Sequence, residues 1–462
     1  MKQSTLPDLT VEAAAAITSI RPARTSAAII AVFWLTAAAC GFPRPADIAG
    51  DALGASDGAG GSDGPSGPVV AIQVSPSGDD ANDGLRMPVR TLKHAIDLAA
   101  AGTQITQIAL AAGIYSASTG ESFSYIIPAN VTVIGPSDGS AILAGDKAGP
   151  GVTVDVGGLE DVSLQDFATA VTATGTVNLK NVQILTSMVA VQVEATGSLT
   201  VNNLDITGIV PVAGGQCSTG IALNGAAKLV ATTWTTHDVG ESLDARDQSV
   251  VAIANATIAG NSTCSGGLSV VSTASFSLSD SLVDGGVGIN AQSTSFRATI
   301  SNTIIRGGLG GFPIFKGSFQ MIGGELSNTQ GSGAGLGTGM WTFTNVTIHQ
   351  VKDLAFYLQG ADLVMRNCQV IDNGEGIDVF QGSTADLGTV ASPGGNVFQR
   401  NQFVSVFAES PALVNAVGNT WNPNVQGADG NGKYTTTAMI SGPVTAPANG
   451  NYGINSGSSL SR

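Results

Sequence analysis

A short motif recurs along the chain: an apolar alternation, one small polar residue, then a second apolar alternation. Residues 179–184 (Leu-Lys-Asn-Val-Gln-Ile) and 343–348 (Phe-Thr-Asn-Val-Thr-Ile) are two copies. With the polar residue as position zero, the copies fall at Asp161, Asn181, Asn203, Thr233, Asn255, Asp280, Asn302, Gly323, Asn345, Asn367, Asn396 and Asn419. Most steps are 20 to 25 residues, and two are 29 and 30. A near-constant period in the low twenties is typical of a solenoid, in which each repeat buries its apolar face against its neighbours.

Within each copy the apolar residues alternate, which predicts strands rather than helices. Positions +1 and +3 are predicted to point inward, and positions +2 and +4 to face solvent. Asparagine suits a sharp corner at position zero because it tolerates left-handed backbone angles. Stacked amides can also hydrogen-bond from rung to rung. The predicted ladder consists of Asn181, Asn203, Asn255, Asn302, Asn345 and Asn367.

The predicted fold is all-β: a right-handed, single-stranded parallel β-helix of about a dozen rungs, roughly 55 Å long. Its hand follows from the general rule for parallel crossovers. The predicted segments are an export signal at 1–40, a tether at 41–68, a cap with the first rungs at 69–158, the repeats at 159–425, and a polar tail at 426–462. Extra residues at 207–219 and 382–394 account for the two long steps and predict loops, where binding sites often grow.

The N-terminal region has the pattern of an export signal: Arg21 and Arg24 precede a short apolar run at 26–39. Residues 37–40 (Ala-Ala-Ala-Cys) resemble the processing site of bacterial lipoproteins, which implies lipidation of Cys40 and a membrane anchor. The alternative is an ordinary signal with a coincidental cysteine. Residues 41–68 are 24 of 28 Gly, Asp, Pro, Ala or Ser, a composition that predicts a disordered tether. The expected location is the bacterial outer membrane or cell surface.

The net charge of the chain limits the classes of partner that it can bind. The chain carries −15, and removing residues 1–39, with three basic and two acidic side chains, takes it to −16. So acidic a chain is a poor partner for nucleic acid. We expect the chain to leave acidic glycans intact, and any binding to involve a neutral glycan or a surface protein. The oligomeric state is left open.

Residues 74–84 (Val-Ser-Pro-Ser-Gly-Asp-Asp-Ala-Asn-Asp-Gly) lead to Pro88, to Thr91 and then to Ala95-Ile96. This segment resembles the N-terminal part of pectate-lyase-like right-handed β-helix proteins, including an exported bacterial family of unknown function. The resemblance implies that a capping helix and the first strands follow this motif. Leu92, Ala95, Ile96 and Ala99 would form the buried face of that helix.

Asp79, Asp80 and Asp83 in the same segment are candidate Ca²⁺ ligands, because hard cations prefer oxygen ligands. The alternative is a structural role in Asx-type turns that cap the loop and the helix. No other cofactor is predicted.

The repeats carry no recognisable catalytic signature. The Asn-Thr-Asp, Gly-His-Gly and Arg-Ile-Lys pieces of polygalacturonases and the Asp-Pro-His piece of alginate epimerases are absent. Register places Asp284, Arg306 and His349 in one solvent-facing row at position +4, the one weak catalytic candidate. The alternative is a surface salt bridge beside an unrelated histidine.

Three cysteines besides Cys40 are present. Cys217 and Cys264 lie on turn-side segments two rungs apart and are candidates for a disulfide, which export would permit. Cys368 occupies inward position +1 and is predicted to be buried and reduced. Two functions follow from the sequence: a non-catalytic surface lipoprotein that binds glycan or another surface partner, or a lyase or hydrolase acting on acidic glycans.

Overall fold

A computed structural model describes residues 70–102, 104–208, 217–260, 267–271, 274–291, 293–311, 317–327, 331–380, 382–402, 404–408, 413–421, 440–441, 444–445 and 454–455. These residues form the predicted parallel β-helix, with all strand pairings parallel. One α-helix, Leu92–Ala101, and one 3₁₀ helix, Ala117–Thr119, lie near its N-terminal end. Among the described residues, no helix is long and apolar enough to cross a membrane.

The larger sheet has 26 strands and contains the predicted motif on either side of its polar residue. Its strands are Val70–Val74, Ile105–Leu110, Gly113–Tyr115, Val131–Ile134, Ala141–Ala144, Gly157–Glu160, Val162–Gln165, Thr176–Leu185, Ser198–Thr207, Lys228–Val239, Val250–Gly260, Ser275–Ser279, Leu282–Asp284, Arg297–Ser301, Ile304–Arg306, Ser318–Ile322, Glu325–Ser327, Gly339–Thr344, Thr347–His349, Ala361–Arg366, Gln369–Ile371, Thr384–Asp386, Val397–Gln399, Leu413–Asn415, Thr420–Trp421 and Val444–Thr445.

The smaller sheet has 15 strands and closes each turn of the solenoid. We call it the closing sheet. Its strands are Tyr125–Ile127, Pro150–Val154, Thr169–Ala173, Val189–Val193, Thr219–Leu223, Glu241–Arg246, Leu268–Val271, Val287–Asn290, Leu309–Gly311, Ala334–Leu336, Leu354–Leu358, Glu375–Val379, Val406–Ala408, Ile440–Ser441 and Ile454–Asn455.

Alternation within the strands sets the core, as the sequence predicts. Val182 and Ile184 at positions +1 and +3 are buried, whereas Gln183 between them is exposed. The insertion of extra residues does not disturb this register: Leu204 pairs directly with Trp234 across the 30-residue step. The loops therefore absorb the irregular spacing, and the strands stay in phase.

Aromatic rings cluster near the N-terminal end of the interior and again in later rungs. Near the N-terminal end the ring centroids of Phe123 and Phe167 are 5.0 Å apart, and aliphatic side chains such as Leu179 and Val201 fill the rungs that follow. Later rungs stack aromatic rings, with the centroids of Phe319 and Trp341 5.0 Å apart and those of Phe343 and Phe356 4.9 Å apart. These rings are buried, so truncation of one of them would leave a large cavity.

The predicted capping helix is present, and Leu92, Ala95, Ile96 and Ala99 are its buried residues. Thr91 caps its first turn by accepting a hydrogen bond from the His94 N–H. A second cap comes from far along the chain, because Glu121 Oε1 accepts from the Leu92 N–H at 2.8 Å. Burial raises the pKa of the Glu121 carboxyl above its usual range, and the Tyr125 hydroxyl, 2.6 Å from it, opposes that shift. Sequence spacing gave no sign of this 29-residue contact.

Two positions in the predicted register are wrong. Gly395 and Gly418, with φ of 64° and 76°, occupy position zero, so Asn396 and Asn419 lie one residue further on at position +1. Asn396 is fully buried there, and its Oδ1 accepts from the Cys368 N–H at 2.9 Å. These two asparagines lie behind the corner rather than on it, because a glycine makes the bend.

Candidate functional site

The corner at position zero has the geometry that its residue types predict. Asp161, Asn181 and Asn203 have φ of 55°, 51° and 63°, in the left-handed region. Asn181 Nδ2 donates to Asp161 Oδ1 at 2.9 Å, and Asn203 Nδ2 donates to Asn181 Oδ1 at 3.0 Å. Further along, Asn302 Nδ2 donates to Asp280 Oδ1 at 3.2 Å.

The remaining predicted ladder residues have the same backbone conformation. Asn255, Asn345 and Asn367 have φ of 54°, 58° and 55°. Thr233 and Gly323 stand at position zero in two intervening rungs. Glycine has no side chain, so the ladder is interrupted at Gly323.

A second corner follows five residues after the first, and the sequence analysis missed it. Its members with positive φ include Asp166, Thr186, Asp238, Gln350, Asp372 and Arg400. The signal was a polar residue or glycine at position +5, which the more regular asparagines at position zero obscured. Thr186 Oγ1 donates to Asp166 Oδ1 at 2.7 Å, so this corner also has side-chain contacts between rungs.

In the middle of the solenoid, glycine pairs replace the polar residues of the second corner. Gly285 and Gly286 have φ of 129° and 86°, and Gly307 and Gly308 have φ of 105° and 99°. The rungs approach closely there: a Cβ on Gly267 would lie 2.3 Å from the Gly286 carbonyl oxygen. Only glycine fits such a contact. The outer surface is consequently without side chains along this part of the corner.

A cavity of about 310 Å³ lies over these glycines. Seven of its 11 lining residues are glycines, and its polar side chains come from Glu241 and Ser269. We call it the glycine cavity. Its walls are mostly glycine backbone, and the backbone N–H groups of Gly285, Gly286 and Val287 are hydrogen-bonded to the next rung.

Glu241 is the acidic group of the glycine cavity. Burial raises the pKa of its carboxyl, the Asp244 charge on the same strand raises it further, and the Ser269 hydroxyl acts in the opposite direction. Asp244 itself is paired with Arg246, with Nε 2.7 Å from Oδ1. The site thus presents a half-buried carboxyl that can accept or, when protonated, donate a hydrogen bond.

The predicted row at position +4 lies beside this cavity. Asp284 directly precedes Gly285, and Arg306 directly precedes Gly307. Asp284 and Arg306 are register partners on adjacent strands, and both are exposed. Next in the row comes Ser327, which is buried although position +4 was expected to face solvent.

His349 follows Ser327 in the row, but it does not join Asp284 and Arg306. Its Nε2 lies 3.1 Å from Glu325 Oε1, and the Ser327 hydroxyl donates to the same oxygen at 2.6 Å. The structure therefore places His349 in a polar cluster with Glu325 and Ser327, two rungs from Arg306. The bond to Glu325 also satisfies the hydroxyl of the buried Ser327.

The N-terminal aspartates each bond to nearby backbone. Asp79 Oδ1 accepts from the Ala81 N–H at 3.1 Å, and Asp83 Oδ1 accepts from the Arg86 N–H at 2.9 Å. Asp80 Oδ1 accepts from the Thr91 N–H at 2.9 Å. Over the ranges that the structure covers, no three metal-ligating side chains converge. Ca²⁺ binding by these aspartates stays a prediction.

The cysteines differ in state. Cys368 is free and buried, as predicted, and burial raises the pKa of its thiol to about 11. Cys217 is disulfide-bonded, and Cys264 lies outside the described residues. Cys40, the export signal, the tether and most of the polar tail also lie outside them.

Several solved structures share detectable similarity with this chain. The catalytic unit of a GH87 α-1,3-glucanase from Streptomyces thermodiastaticus has 15% identity and a TM-score of 0.37, with 85% of this chain and 68% of that chain covered. The A-module of a mannuronan C-5 epimerase from Azotobacter vinelandii has 13% identity and a TM-score of 0.34, with 71% and 89% covered. A GH136 lacto-N-biosidase from Eubacterium ramulus has 10% identity and a TM-score of 0.27, with 76% and 67% covered. Similarity at this level assigns no function to the chain.

The chain matches none of the curated proteins. A family model, described as a protein of unknown function (DUF1565), matches residues 76–426. That range includes the cap, the repeats and the glycine cavity, and it is well over half of the 462 residues. The chain therefore belongs to the DUF1565 family.

Proposed function

We propose that this protein is a surface-anchored β-helix that binds a neutral glycan, without catalysing its cleavage, in the glycine cavity. The observation that carries the proposal is the cavity itself: a site of about 310 Å³ with a backbone wall, one half-buried carboxyl and one hydroxyl. A lining of bare peptide backbone with a few placed polar groups is typical of small-molecule sites. It suits a sugar, whose ring has apolar faces and whose hydroxyl groups can bond to the Glu241 carboxyl and the Ser269 hydroxyl.

Electrostatics favours a neutral ligand over an acidic one. The chain carries −15, and the cavity itself contributes the Glu241 carboxyl. A polyanion would be repelled unless a basic groove or bound cations reversed the local field. Arg306 stands beside Asp284, so this exposed pair adds little net positive charge next to the cavity.

Binding is tested by titrating the purified protein with neutral disaccharides of different linkage, followed by calorimetry. Gly288 lines the cavity without positive φ, and a Cβ there would meet only the Leu268 carbonyl oxygen, at 3.8 Å. Gly288→Trp should fold and fill the cavity, weakening binding at least roughly tenfold. Gly331→Trp is the control, because that glycine also lacks positive φ, has open space around its Cβ and lies outside the cavity lining. Equal affinities of the wild type and Gly288→Trp would remove the cavity from the proposal.

The alternative, a lyase on acidic glycans, is tested with polygalacturonate and alginate, with and without Ca²⁺. The proposal expects no increase in ultraviolet absorbance from an unsaturated product. An increase that Arg306→Ala abolishes would instead assign a catalytic role to the exposed pair of Asp284 and Arg306.

Anchoring through Cys40 is a separate part of the proposal, based on its place after the apolar run at 26–39. Radiolabelled palmitate should enter the wild type expressed in a Gram-negative host and not the Cys40→Ser variant. Labelling of both to the same extent would end the anchoring claim and leave the cavity unaffected.

A further inference from the structure

One row of outward-facing positions on the closing sheet begins inside the glycine cavity. Strand register aligns Asp244, Ser269, Gly288, Gly310, Gly335, Tyr357 and Asp378 in adjacent rungs. Ser269 and Gly288 line the cavity. Six strand spacings separate the first and last residues, or about 29 Å along the axis.

The middle of this row is open. A Cβ added at Gly335 would meet nothing within 4 Å, and one at Gly288 would meet a single atom at 3.8 Å. The backbone conformation does not require glycine at either position, because neither residue has positive φ. The glycines of the second corner differ in this respect. The backbone therefore tolerates side chains at these two positions, and their absence keeps the surface clear.

An aromatic side chain closes the open part of the row. Tyr357 is half-buried, and its ring centroid lies 4.8 Å from that of Phe380. The next position, Asp378, is only 1% exposed, so the open surface ends at Tyr357. Between Asp244 and Asp378 the row contains no charged residue, although the whole chain carries −15.

We propose that the positions from Ser269 to Tyr357 form one binding track for a linear neutral glycan that lies along the solenoid axis. The inference rests on the proposed function and extends it: the glycine cavity holds one end of the glycan, and Tyr357 provides a distant subsite. A strand spacing of about 4.8 Å is close to the length of one pyranose unit, so successive sugars would pass over successive rungs. Aromatic rings with a few placed polar groups are typical of such ligand sites.

An extended peptide fits this track less well. Peptides that bind β-sheets add a strand to an exposed edge and hydrogen-bond to its main chain. Here each strand under the track already pairs with both neighbours, so the main-chain groups that point along the axis are occupied. A ligand lying across the strands must instead contact their outer face, where glycine leaves the peptide planes accessible.

The test compares a disaccharide with a hexasaccharide of the linkage that the wild type binds, by calorimetry on the whole protein. The track predicts that the hexasaccharide binds at least roughly tenfold more tightly, because it reaches a second subsite. Gly335→Trp should remove this advantage and leave disaccharide affinity unchanged, since Gly335 does not line the cavity. Tyr357→Ala should act in the same way and provides a second test if the tryptophan variant fails to fold.

Phe407→Ala is the matched control. Phe407 lies in the same row, one rung beyond Asp378 and outside the track, so its removal should leave both affinities unchanged. Equal affinity of the wild type for the two glycans, or a hexasaccharide advantage that survives both track variants, would overturn the track while the cavity proposal stands. Absence of binding by any neutral glycan would instead refute the proposed function and the track together.

Discussion

The two corners of each rung make the same bend by different means. At the first corner, Asp161, Asn181 and Asn203 adopt left-handed angles, and their side chains bond from rung to rung. At the second, Asp166 and Thr186 do the same early in the solenoid, but Gly285 and Gly307 take over in its middle. An amide ladder covers the corner, whereas glycine leaves it bare. The comparison teaches that the regular corner maintains the architecture, and that the departure from regularity leaves a cavity on the surface.

The largest expected effect concerns buried amides just behind the second corner. Asn373 is 1% exposed; its Oδ1 accepts from the Val351 N–H at 3.0 Å, and its Nδ2 donates to the Ile348 carbonyl at 3.2 Å. Asn373→Leu removes both bonds, leaves the Val351 N–H without its buried acceptor, and should cost about 2–5 kcal/mol in the free energy of unfolding. Urea titration followed by circular dichroism measures the loss. A loss below that of an exposed ladder variant such as Asn203→Gly would show that the buried amides are not what stabilises this corner.

A smaller loss of stability is expected where the backbone bend requires glycine. Little loss is expected where a glycine only leaves the surface without a side chain. Gly286 has φ of 86°, and a Cβ there would lie 3.0 Å from the Gly308 carbonyl oxygen. Gly286→Ala should therefore destabilise the protein by about 1–3 kcal/mol. Gly288→Ala, in the same cavity wall but without positive φ, is the control and should change stability by less than about 1 kcal/mol. Thermal unfolding of the pair decides the matter, and equal melting temperatures would contradict the distinction.

The amide ladder of the first corner is exposed, so its contribution should be modest. Asn181→Gly keeps a residue that accepts φ of 51° and removes the bonds to Asp161 and Asn203. The expected loss is about 0.5–1.5 kcal/mol. Asn181→Ala adds the cost of a left-handed alanine, about 1 kcal/mol more. If alanine and glycine proved equally destabilising in chemical denaturation, backbone strain would have no part in the choice of asparagine.

The smallest effect is the pH dependence that Glu241 introduces. Burial raises the pKa of its carboxyl above the ordinary 4.5, so the folded state disfavours the ionised form. The protonated group contributes stability at pH values below the ordinary pKa, and that contribution disappears as pH rises through the raised pKa. Glu241→Gln, which cannot ionise, should match the wild type in acid and be slightly more stable at neutral pH. A stability difference that does not vary with pH would exclude this assignment of Glu241.

The architecture was predictable because it repeats. A single residue such as Asn181 indicates little, but its recurrence at a near-constant step determines strand phase, inward positions and the first corner together. The prediction was wrong at Asn396 and Asn419 because a glycine preceded each asparagine and took the bend. Where two residues can both adopt left-handed angles, periodicity alone does not choose between them.

The candidate site was less predictable because it depends on what the repeat lacks. Register correctly predicted Asp284 and Arg306 as neighbours. It did not indicate Glu241, because the raised pKa of that carboxyl depends on burial against other rungs and on the contact with Ser269. Gly285 and Gly307 looked like ordinary turn residues. Their role depends on the stacking of one rung on the next. That stacking brings together segments that are far apart in the sequence, so a single turn does not reveal it.

The pairing of Leu204 with Trp234 across 30 residues has a consequence for how such a protein can change. The position of a residue along the solenoid axis depends on the number of strands before it, not on the number of residues in each turn. Loops can therefore lengthen or shorten without moving any strand residue along the axis. Duplication of one turn, by contrast, would extend every surface row by one strand spacing. A binding surface along the axis could thus evolve to longer ligands one unit at a time.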